Sequence, residues 1–271
     1  MKKDPNIAVI VQARTGSTRF PSKILQLISG KTVLMLMLER VQYSKYGKNV
    51  IVATTDEEED NVIFELCRQN NIKCFRGNPI DLLDRHFKSA VVLGADIAVK
   101  IPSDCPLIDP SIIDKVVDCY IENQDNYDFV SNLHPPTYPD GNDVEVMSMK
   151  TLERAWKEAE KPFEREHTTP YIWDNPDKFR IGNVEWETGL NYSMSHRWTL
   201  DYPADYDFIK AVYEELYEDD PFFGLNDILA LLEQKPGIKQ INYKYAGINW
   251  YRHHINDLKT ITPDQTQETV N

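Results

Sequence analysis

The fold is decided near the start of the chain, where residues 7–23 read I-A-V-I-V-Q-A-R-T-G-S-T-R-F-P-S-K. The apolar run Ile7–Val11 predicts a buried strand over Ile7–Gln12. The residues after it predict a loop with one glycine, small hydroxyls and three cations, Arg14, Arg19 and Lys23. Such a loop can direct backbone N–H groups and positive charge at one point, as a polyphosphate requires. A solvated basic loop has the same composition and is the alternative.

Strands and helices alternate from this first strand to residue 131. The later predicted strands are Val50–Ala53, Lys73–Arg76, Ile97–Ile101 and Phe129–Ser131. The predicted helices are Val33–Tyr43, Asp56–Gln69, Leu82–Leu93 and Pro110–Asn123. Near-continuous apolar strands separated by helices predict an α/β fold, with a mostly parallel sheet covered by helices on both faces.

The carboxyl ends of the strands are where such a sheet binds its ligands. We therefore expect the loops that follow the predicted strands to converge on one crevice. These loops comprise residues 13–23, 54–56, 76–86, 102–109 and 132–143.

The regular alternation of predicted strands and helices ends after residue 132, where a loop rich in proline and glycine spans residues 134–143. Beyond it we predict the strands Val144–Met149 and Trp198–Leu200, and the helices Leu152–Lys161, Ala204–Tyr217 and Leu225–Glu233. We expect a single domain over residues 1–259 and a frayed polar tail over 260–271. Residues 144–190 are the candidate for an insertion that dimerises or binds an acceptor.

Composition excludes several classes of function. The 271 residues carry a formal net charge of −13, without a basic stripe, which argues against a nucleic-acid partner. No apolar run approaches the ~20 residues of a membrane span, and the N-terminus lacks a signal-peptide core. We therefore predict a cytoplasmic protein. The four cysteines have no metal-site spacing and are expected to be reduced thiols.

Two carboxylates follow predicted strand ends. Asp104 follows the fourth strand, and Asp201 ends the short apolar run Trp198–Leu200. Carboxylate oxygens suit Mg²⁺, which usually also keeps substrate phosphates in its shell, so we expect the pair to lie within about 8 Å. Asp104 as an ordinary turn residue is the alternative. For Asp109 we favour a cap on the helix that starts at Pro110.

Three segments carry a family resemblance. Ala13 to Lys23 matches a motif A-R-x-x-S-x-R-[LF]-P-x-K, Ser103–Ile108 resembles G-D-x-P-L-[IV], and Asp201–Tyr206 matches D-x-P-x-D-[FLY]. Over about residues 6–215 the chain resembles the cytidylyltransferases that make CMP-activated sugars, the CMP-sialate and CMP-KDO synthetase superfamily. Among them it most resembles the branch of spore coat polysaccharide biosynthesis protein F. Further likenesses to that branch lie at Arg76–Gly77, Asp81–Arg85, Asp140–Val146 and Arg165–Tyr171.

This resemblance implies a nucleotide-diphospho-sugar transferase architecture (GT-A-like, Rossmann-like) and transfer of CMP from CTP to a sugar or sugar-acid hydroxyl, releasing pyrophosphate for surface polysaccharide synthesis. It implies that Arg14 and Arg19 hold the β- and γ-phosphates, while Lys23 stabilises charge on the α-phosphate. Because Lys23 lies in a predicted loop, we expect its side chain to be exposed. Asp104 and Asp201 would hold Mg²⁺. The implied nucleotide-binding residues are Ala13, Arg14, Thr15, Gly16, Ser17, Lys23, Arg76, Asp81 and Asp104. Ser103 departs from the family glycine.

The sequence signal for the residues that bind the acceptor is less specific than that for the nucleotide-binding residues. Arg165, Glu166 and His167 offer a cation and polar groups for a sugar acid, and Asp143 offers a partner for its hydroxyls. For His167, a buried structural histidine is an equally good interpretation. For Arg76 and Asp81, an ordinary salt-bridged helix start is the alternative to contact with the nucleotide. By analogy with dimeric relatives we expect a homodimer.

Two other functions compete with this one. A glycosyltransferase of similar fold would use a ready-made nucleotide sugar, but it usually carries a D-x-D motif where this chain has Ser103, Asp104 and Cys105. A nucleotide-binding protein without catalysis would not need Lys23, Asp104 and Asp201 together.

Overall fold

The structure, a computed structural model, describes residues 4–269. Its strands are β1 (Ile7–Gln12), β2 (Leu27–Ile28), β3 (Lys31–Thr32), β4 (Val50–Thr55), β5 (Lys73–Gly77), β6 (Ile97–Pro102), β7 (Phe129–Ser131), β8 (Glu145–Ser148) and β9 (Ile181–Asn183). Seven of them form one sheet in the order β5-β4-β1-β6-β8-β7-β9, and β2 and β3 form a separate hairpin. Only β8 runs antiparallel to its neighbours in the sheet. The predicted mostly parallel α/β fold is confirmed.

Helices cover both faces of this sheet. They are α1 (Val33–Tyr43), α2 (Asn61–Gln69), α3 (Leu82–Val92), α4 (Pro110–Glu122), α5 (Met149–Glu158), α6 (Pro162–His167), α7 (Pro170–Trp173), α8 (Pro203–Leu216), α9 (Leu225–Gln234) and α10 (Pro236–Gln240). Alternate residues of β1 enter different cores. Val9 and Val11 pack with α1, α2, α4, α8 and α9, while Ala8 and Ile10 pack with α3, α5 and α7. Period-2 alternation with both faces buried explains the continuous apolar strand.

Two helices begin at other residues than predicted, because local capping and turn structure, and not apolar periodicity, decide where they start. The helix predicted at Leu152–Lys161 begins at Met149 because the Ser148 hydroxyl accepts a hydrogen bond from the N–H of Thr151 (3.0 Å). The strand predicted at Val144–Met149 is correspondingly shorter. The helix predicted from Asp56 starts at Asn61, after a 3₁₀ turn.

The strand predicted at Trp198–Leu200 is wrong. The Trp198 N–H donates to Asp140 O (2.7 Å) and the Leu200 N–H donates to Asp104 O (2.7 Å). The segment therefore bonds to two loops instead of joining a sheet. Gly141, at φ +108°, allows this approach, since a Cβ there would lie 2.7 Å from the Thr199 nitrogen. These bonds bring Asp201 beside Asp104.

The described part of the C-terminal tail is anchored, contrary to the prediction of fraying. Asp174 accepts hydrogen bonds from the N–H groups of Lys259 and Thr260, each at 2.8 Å. Ile261 is 7% exposed and packs in the core. Within residues 4–269, no helix combines the length and the apolar character needed to cross a bilayer.

Candidate active site

A cavity of about 640 Å³ opens at the carboxyl ends of β1 and β6. Four of the five predicted loops contribute to it, from residues 13–23, 79–85, 102–104 and 132–143. Residues 54–56 do not line the cavity. Three further segments do, residues 166–173, 193–202 and 247–254. The prediction that strand-end loops converge on one crevice is therefore confirmed except for the loop at 54–56.

The loop after β1 forms one wall of the cavity. Ala13, Arg14, Gly16, Ser17, Arg19 and Lys23 line it. Thr15 instead points at the buried carboxylate of Asp60, to which it donates from its N–H (2.8 Å) and its hydroxyl (2.7 Å). Burial alone would raise the pKa of Asp60, but hydrogen bonds from Thr55 and Thr15 lower it. Asp60 thus fixes the loop from beneath.

Arg14 is the available cation of this loop. It is exposed, lines the cavity and makes no hydrogen bond or ion pair within the part of the chain that the structure describes. Its guanidinium is therefore free to bind an anionic ligand.

Lys23 joins the two predicted metal ligands. Its ammonium lies 2.9 Å from Asp201 Oδ1 and 3.5 Å from Asp104 Oδ2, and it also donates to Leu200 O. The two carboxylate oxygens are therefore separated by at most the sum of these distances, about 6.4 Å. This agrees with the expected separation. Lys23 is buried, not exposed as expected, and the two carboxylates raise its pKa although burial lowers it.

Asp201 is surrounded by cations. Arg19 Nη2 lies 2.8 Å from its Oδ1, and Arg197 Nη2 lies 3.1 Å from its Oδ2. Burial alone would raise the pKa of Asp201, but Lys23, Arg19 and Arg197 hold it well below the usual range. Asp201 therefore stays ionised.

Arg197 positions this carboxylate. Its side chain is almost completely buried and pairs with Asp205 through Nε–Oδ1 (2.9 Å) and Nη2–Oδ2 (3.1 Å). Asp205 also accepts hydrogen bonds from the N–H groups of Asp201 and Tyr202, each at 2.9 Å, at the start of α8. Asp201 is therefore held in place by the N-terminal turn of α8.

The two aspartates of the loop after β6 have different tasks. Asp109 accepts a hydrogen bond from the Ser111 N–H (2.7 Å), which confirms it as the cap of α4. Asp104 has no such cap to make, and its side chain is 32% exposed in the cavity.

The donor set at this edge fits a shared Mg²⁺ ion. Asp104 and Asp201 supply hard oxygens at most about 6.4 Å apart, and Mg²⁺, which usually keeps several waters, is often held by one or two carboxylates together with substrate phosphates. Among residues 4–269, no three His, Cys, Asp or Glu side chains are grouped to hold a metal.

Three predicted site residues do not line the cavity. Arg76 donates to the carbonyls of Thr55 (3.0 Å) and Glu57 (2.8 Å). Arg165 donates from Nε to Asp81 Oδ2 (2.9 Å) and from Nη1 to Trp156 O (2.7 Å). Asp81 also caps α3. The guanidinium of Arg165 therefore already has partners within the protein. Asp81 is a salt-bridged residue at the start of a helix, as the alternative interpretation predicted.

The other predicted acceptor residues do line the cavity: Asp143, Glu166 and His167. Burial, and then the charge of Asp104, raise the pKa of Asp143 to about 7. Burial lowers the pKa of His167 to about 3, so its imidazole is neutral at pH 7. These side chains present hydrogen-bonding groups with little fixed positive charge.

Sequence reasoning missed one part of the cavity wall. His167 stacks on Trp250, with ring centroids 3.8 Å apart, and Arg252, His253 and His254 follow along the same wall. The run W-Y-R-H-H over residues 250–254 was the available signal, but it has no strand or helix periodicity.

A cationic loop, a lysine between two carboxylates and a cavity at the strand ends define an α/β nucleotidyltransferase site. Residues 8–249 match the family model described as Cytidylyltransferase. Because this match spans most of the chain, the protein belongs to the cytidylyltransferase family.

Individual relatives agree with this assignment. The chain is 36% identical over 235 residues to uncharacterized protein MJ1063 of Methanocaldococcus jannaschii (86% of this chain, 93% of the relative). It is 28% identical over 235 residues to spore coat polysaccharide biosynthesis protein SpsF of Bacillus subtilis (85% and 95%). A solved cytidylyltransferase from Leptospira borgpetersenii is 33% identical with a TM-score of 0.82 (87% and 97%).

A shorter stretch resembles enzymes of known acceptor. The 3-deoxy-manno-octulosonate cytidylyltransferase of Pelobacter propionicus is 35% identical over 115 residues, which cover 41% of this chain and 43% of that enzyme. The predicted membership of the CMP-sialate and CMP-KDO synthetase superfamily, near the spore coat branch, is confirmed.

Proposed function

We propose that the protein transfers CMP from CTP to a hydroxyl of a sugar acid, forming a CMP-sugar and pyrophosphate. The observation that carries the proposal is the position of Lys23, between Asp104 and Asp201 and beside the cationic loop. Phosphoryl-type transfer depends on positioning and on neutralising charge, and this site offers both without a nucleophilic side chain.

The proposed reaction is a single displacement at the α-phosphorus. The acceptor oxygen forms a bond to that phosphorus, and the bond from the α-phosphorus to the bridging oxygen of the β-phosphate breaks. Pyrophosphate leaves with the electron pair, and the hydroxyl proton passes to solvent. Lys23 stabilises charge that grows on the α-phosphate, while Arg14 and Arg19 hold the β- and γ-phosphates.

Asp104 and Asp201 would hold Mg²⁺ in this proposal, and the ion would neutralise phosphate charge when bound. For Lys23 and Arg19 to reach phosphate, they must exchange part of their present contact with Asp201. Arg197 keeps that carboxylate ionised and in place throughout, because it bonds to the opposite oxygen.

The relatives support the substrate class. One is a spore coat polysaccharide biosynthesis protein and another acts on 3-deoxy-manno-octulosonate. We extend this to a sugar-acid acceptor and to surface polysaccharide synthesis for this protein. A homodimer in the cytoplasm remains our prediction.

Pyrophosphate release tests the proposal. The protein is incubated with each of the four nucleoside triphosphates, Mg²⁺ and a panel of sugar acids. Release that requires both CTP and a sugar acid is the expected result. Release of a nucleoside diphosphate from a nucleotide sugar would instead support the glycosyltransferase, and no turnover with ligand-linked stabilisation by CTP would support a binding protein.

A further inference from the structure

The segment just beyond the family match forms one wall of the cavity. The match ends at Asn249, whereas the wall continues through Trp250 to His254. Asn249 starts a short 3₁₀ helix, Trp250–His253, because its side chain accepts a hydrogen bond from the Tyr251 N–H (3.1 Å). This wall is therefore made by residues outside those that the family model matches.

Packing fixes this wall in position. Trp250 stacks on His167, and Tyr251 is 8% exposed and lies edge-on to Trp173 at 5.9 Å between centroids. The Asn249 side-chain amide donates to Gln265 O (2.9 Å). A wall held on both sides can present a side chain at a defined place in the cavity.

Arg252 is the charged residue of this wall whose partner is missing. It is half-buried and lines the cavity. Its Nε donates to His253 Nε2 (3.2 Å), and it forms no ion pair with any residue from 4 to 269. Lys23, Arg19 and Lys100 line the same cavity, but each pairs with a carboxylate. Arg14 and Arg85 also line it without an ion pair among residues 4–269; Arg14 belongs to the loop assigned to the phosphates, and Arg85 donates to Asn78 O. The rest of the Arg252 fork is therefore available for an anion.

Arg252 lines the same cavity as Lys23, Asp104 and Asp201. Burial, and then the charges of Arg252, His254 and Arg19, lower the pKa of His253. An anion bound to Arg252 would lie in the cavity that Lys23, Asp104 and Asp201 also line.

We propose that Arg252 binds the carboxylate of the sugar-acid acceptor, an inference that rests on the proposed function. It assigns to Arg252 the task that the sequence suggested for Arg165, whose fork is filled by Asp81 and Trp156 O. Glu166 lines the same cavity. Its negative charge disfavours a dianionic phosphate more than a singly charged carboxylate, which is why we commit to a carboxylate.

Arg252→Gln tests this inference, with Arg68→Gln as the matched control. Arg68 is an exposed residue of α2 that pairs only with Glu65 among the described residues. The probes are 3-deoxy-manno-octulosonate and N-acetylneuraminate, each compared with its methyl ester, which lacks the negative charge. Two measurements are made on each protein: steady-state pyrophosphate release, and the thermal stabilisation by each probe in the presence of CTP.

Loss of a charge-assisted, bidentate contact should raise the KM for the acid about 10- to 100-fold and leave the KM for CTP within about twofold. The variant should also lose the preference of the wild type for the acid over its methyl ester. The control should behave as wild type.

The inference is overturned if the acceptor KM does not change, or if the KM for CTP rises instead, which would place Arg252 on the nucleotide phosphates. It is also overturned if no sugar acid stabilises the wild-type protein. Failure of the proposed function has another signature. Sugar acids would then stabilise the protein in a manner that depends on Arg252, but no pyrophosphate would be released.

Discussion

Replacing Lys23 by methionine separates the electrostatic role of this side chain from its packing. Methionine keeps most of the buried stem and removes only the ammonium that joins Asp104 and Asp201. The second carboxylate retains Arg19 at 2.8 Å and Arg197 at 3.1 Å. Asp201 is therefore not left as an unpaired buried charge.

The cost to stability follows from these remaining partners. A buried ion pair that loses its only partner costs about 3–5 kcal/mol. Because two cations stay with Asp201, and Asp104 is partly exposed, we expect the free energy of unfolding to fall by about 1–3 kcal/mol, less than such a loss. The protein should remain folded at 25 °C, since small domains have about 5–15 kcal/mol of stability.

The cost to catalysis is expected to be larger. Removing one preorganised donor that stabilises transition-state charge lowers kcat about 10²- to 10³-fold, or about 3–4 kcal/mol. The assay is pyrophosphate release at saturating CTP and acceptor, with thermal denaturation to verify folding. Lys48→Met is the control, because Lys48 is exposed and lies on the surface away from the cavity. A folded Lys23→Met protein with kcat within threefold of wild type would refute the role of Lys23.

Three other predictions address the metal, the predicted acceptor arginine and the pH dependence. Asp104→Asn should abolish Mg²⁺-dependent turnover while weakening CTP binding less, and retained Mg²⁺-dependent kcat would contradict the metal role. Arg165→Lys should lower the midpoint of thermal unfolding and leave the acceptor KM unchanged, because its fork holds Asp81; a raised acceptor KM would return Arg165 to the substrate. His167 has a pKa of about 3 when folded against about 6.5 when unfolded, so its contribution to stability is complete above that ordinary value and is lost as the pH falls towards 3. His167→Phe should therefore make the acid-induced loss of stability shallower between those values, in urea titrations at several pH values; an unchanged slope would contradict the burial of the imidazole.

The sheet could be predicted because the apolar composition of each strand is visible in the residues of that strand alone. The first five residues of β1, Ile7 to Val11, are apolar, and residues on both faces of the strand are buried. The position of the loop after it follows from chain direction alone, since parallel strands end at one edge. Elements that depend on distant partners were missed. Trp198–Leu200 has the composition of a strand but bonds to loops that lie about 60 and 95 residues earlier, at Asp140 and Asp104.

The residues of the candidate site likewise fall into those that the sequence could predict and those that it could not. Arg14, Arg19, Lys23 and Asp104 follow strands or stand in a motif, so their convergence could be predicted. The partners of Arg165 could not, because an arginine that binds a substrate carboxylate and one that binds Asp81 look alike in sequence. Arg252 lies in a segment without periodicity, and only the folded chain brings it to the cavity.

Product analysis tests the central claim most directly. The protein is incubated with CTP, Mg²⁺ and 3-deoxy-manno-octulosonate or N-acetylneuraminate, and the reaction is followed by ³¹P NMR. The account predicts that the triphosphate signals disappear while a phosphodiester joining CMP to the sugar and pyrophosphate appear in equal amounts. Formation of CDP and inorganic phosphate, or unchanged CTP with every sugar acid tested, would contradict it.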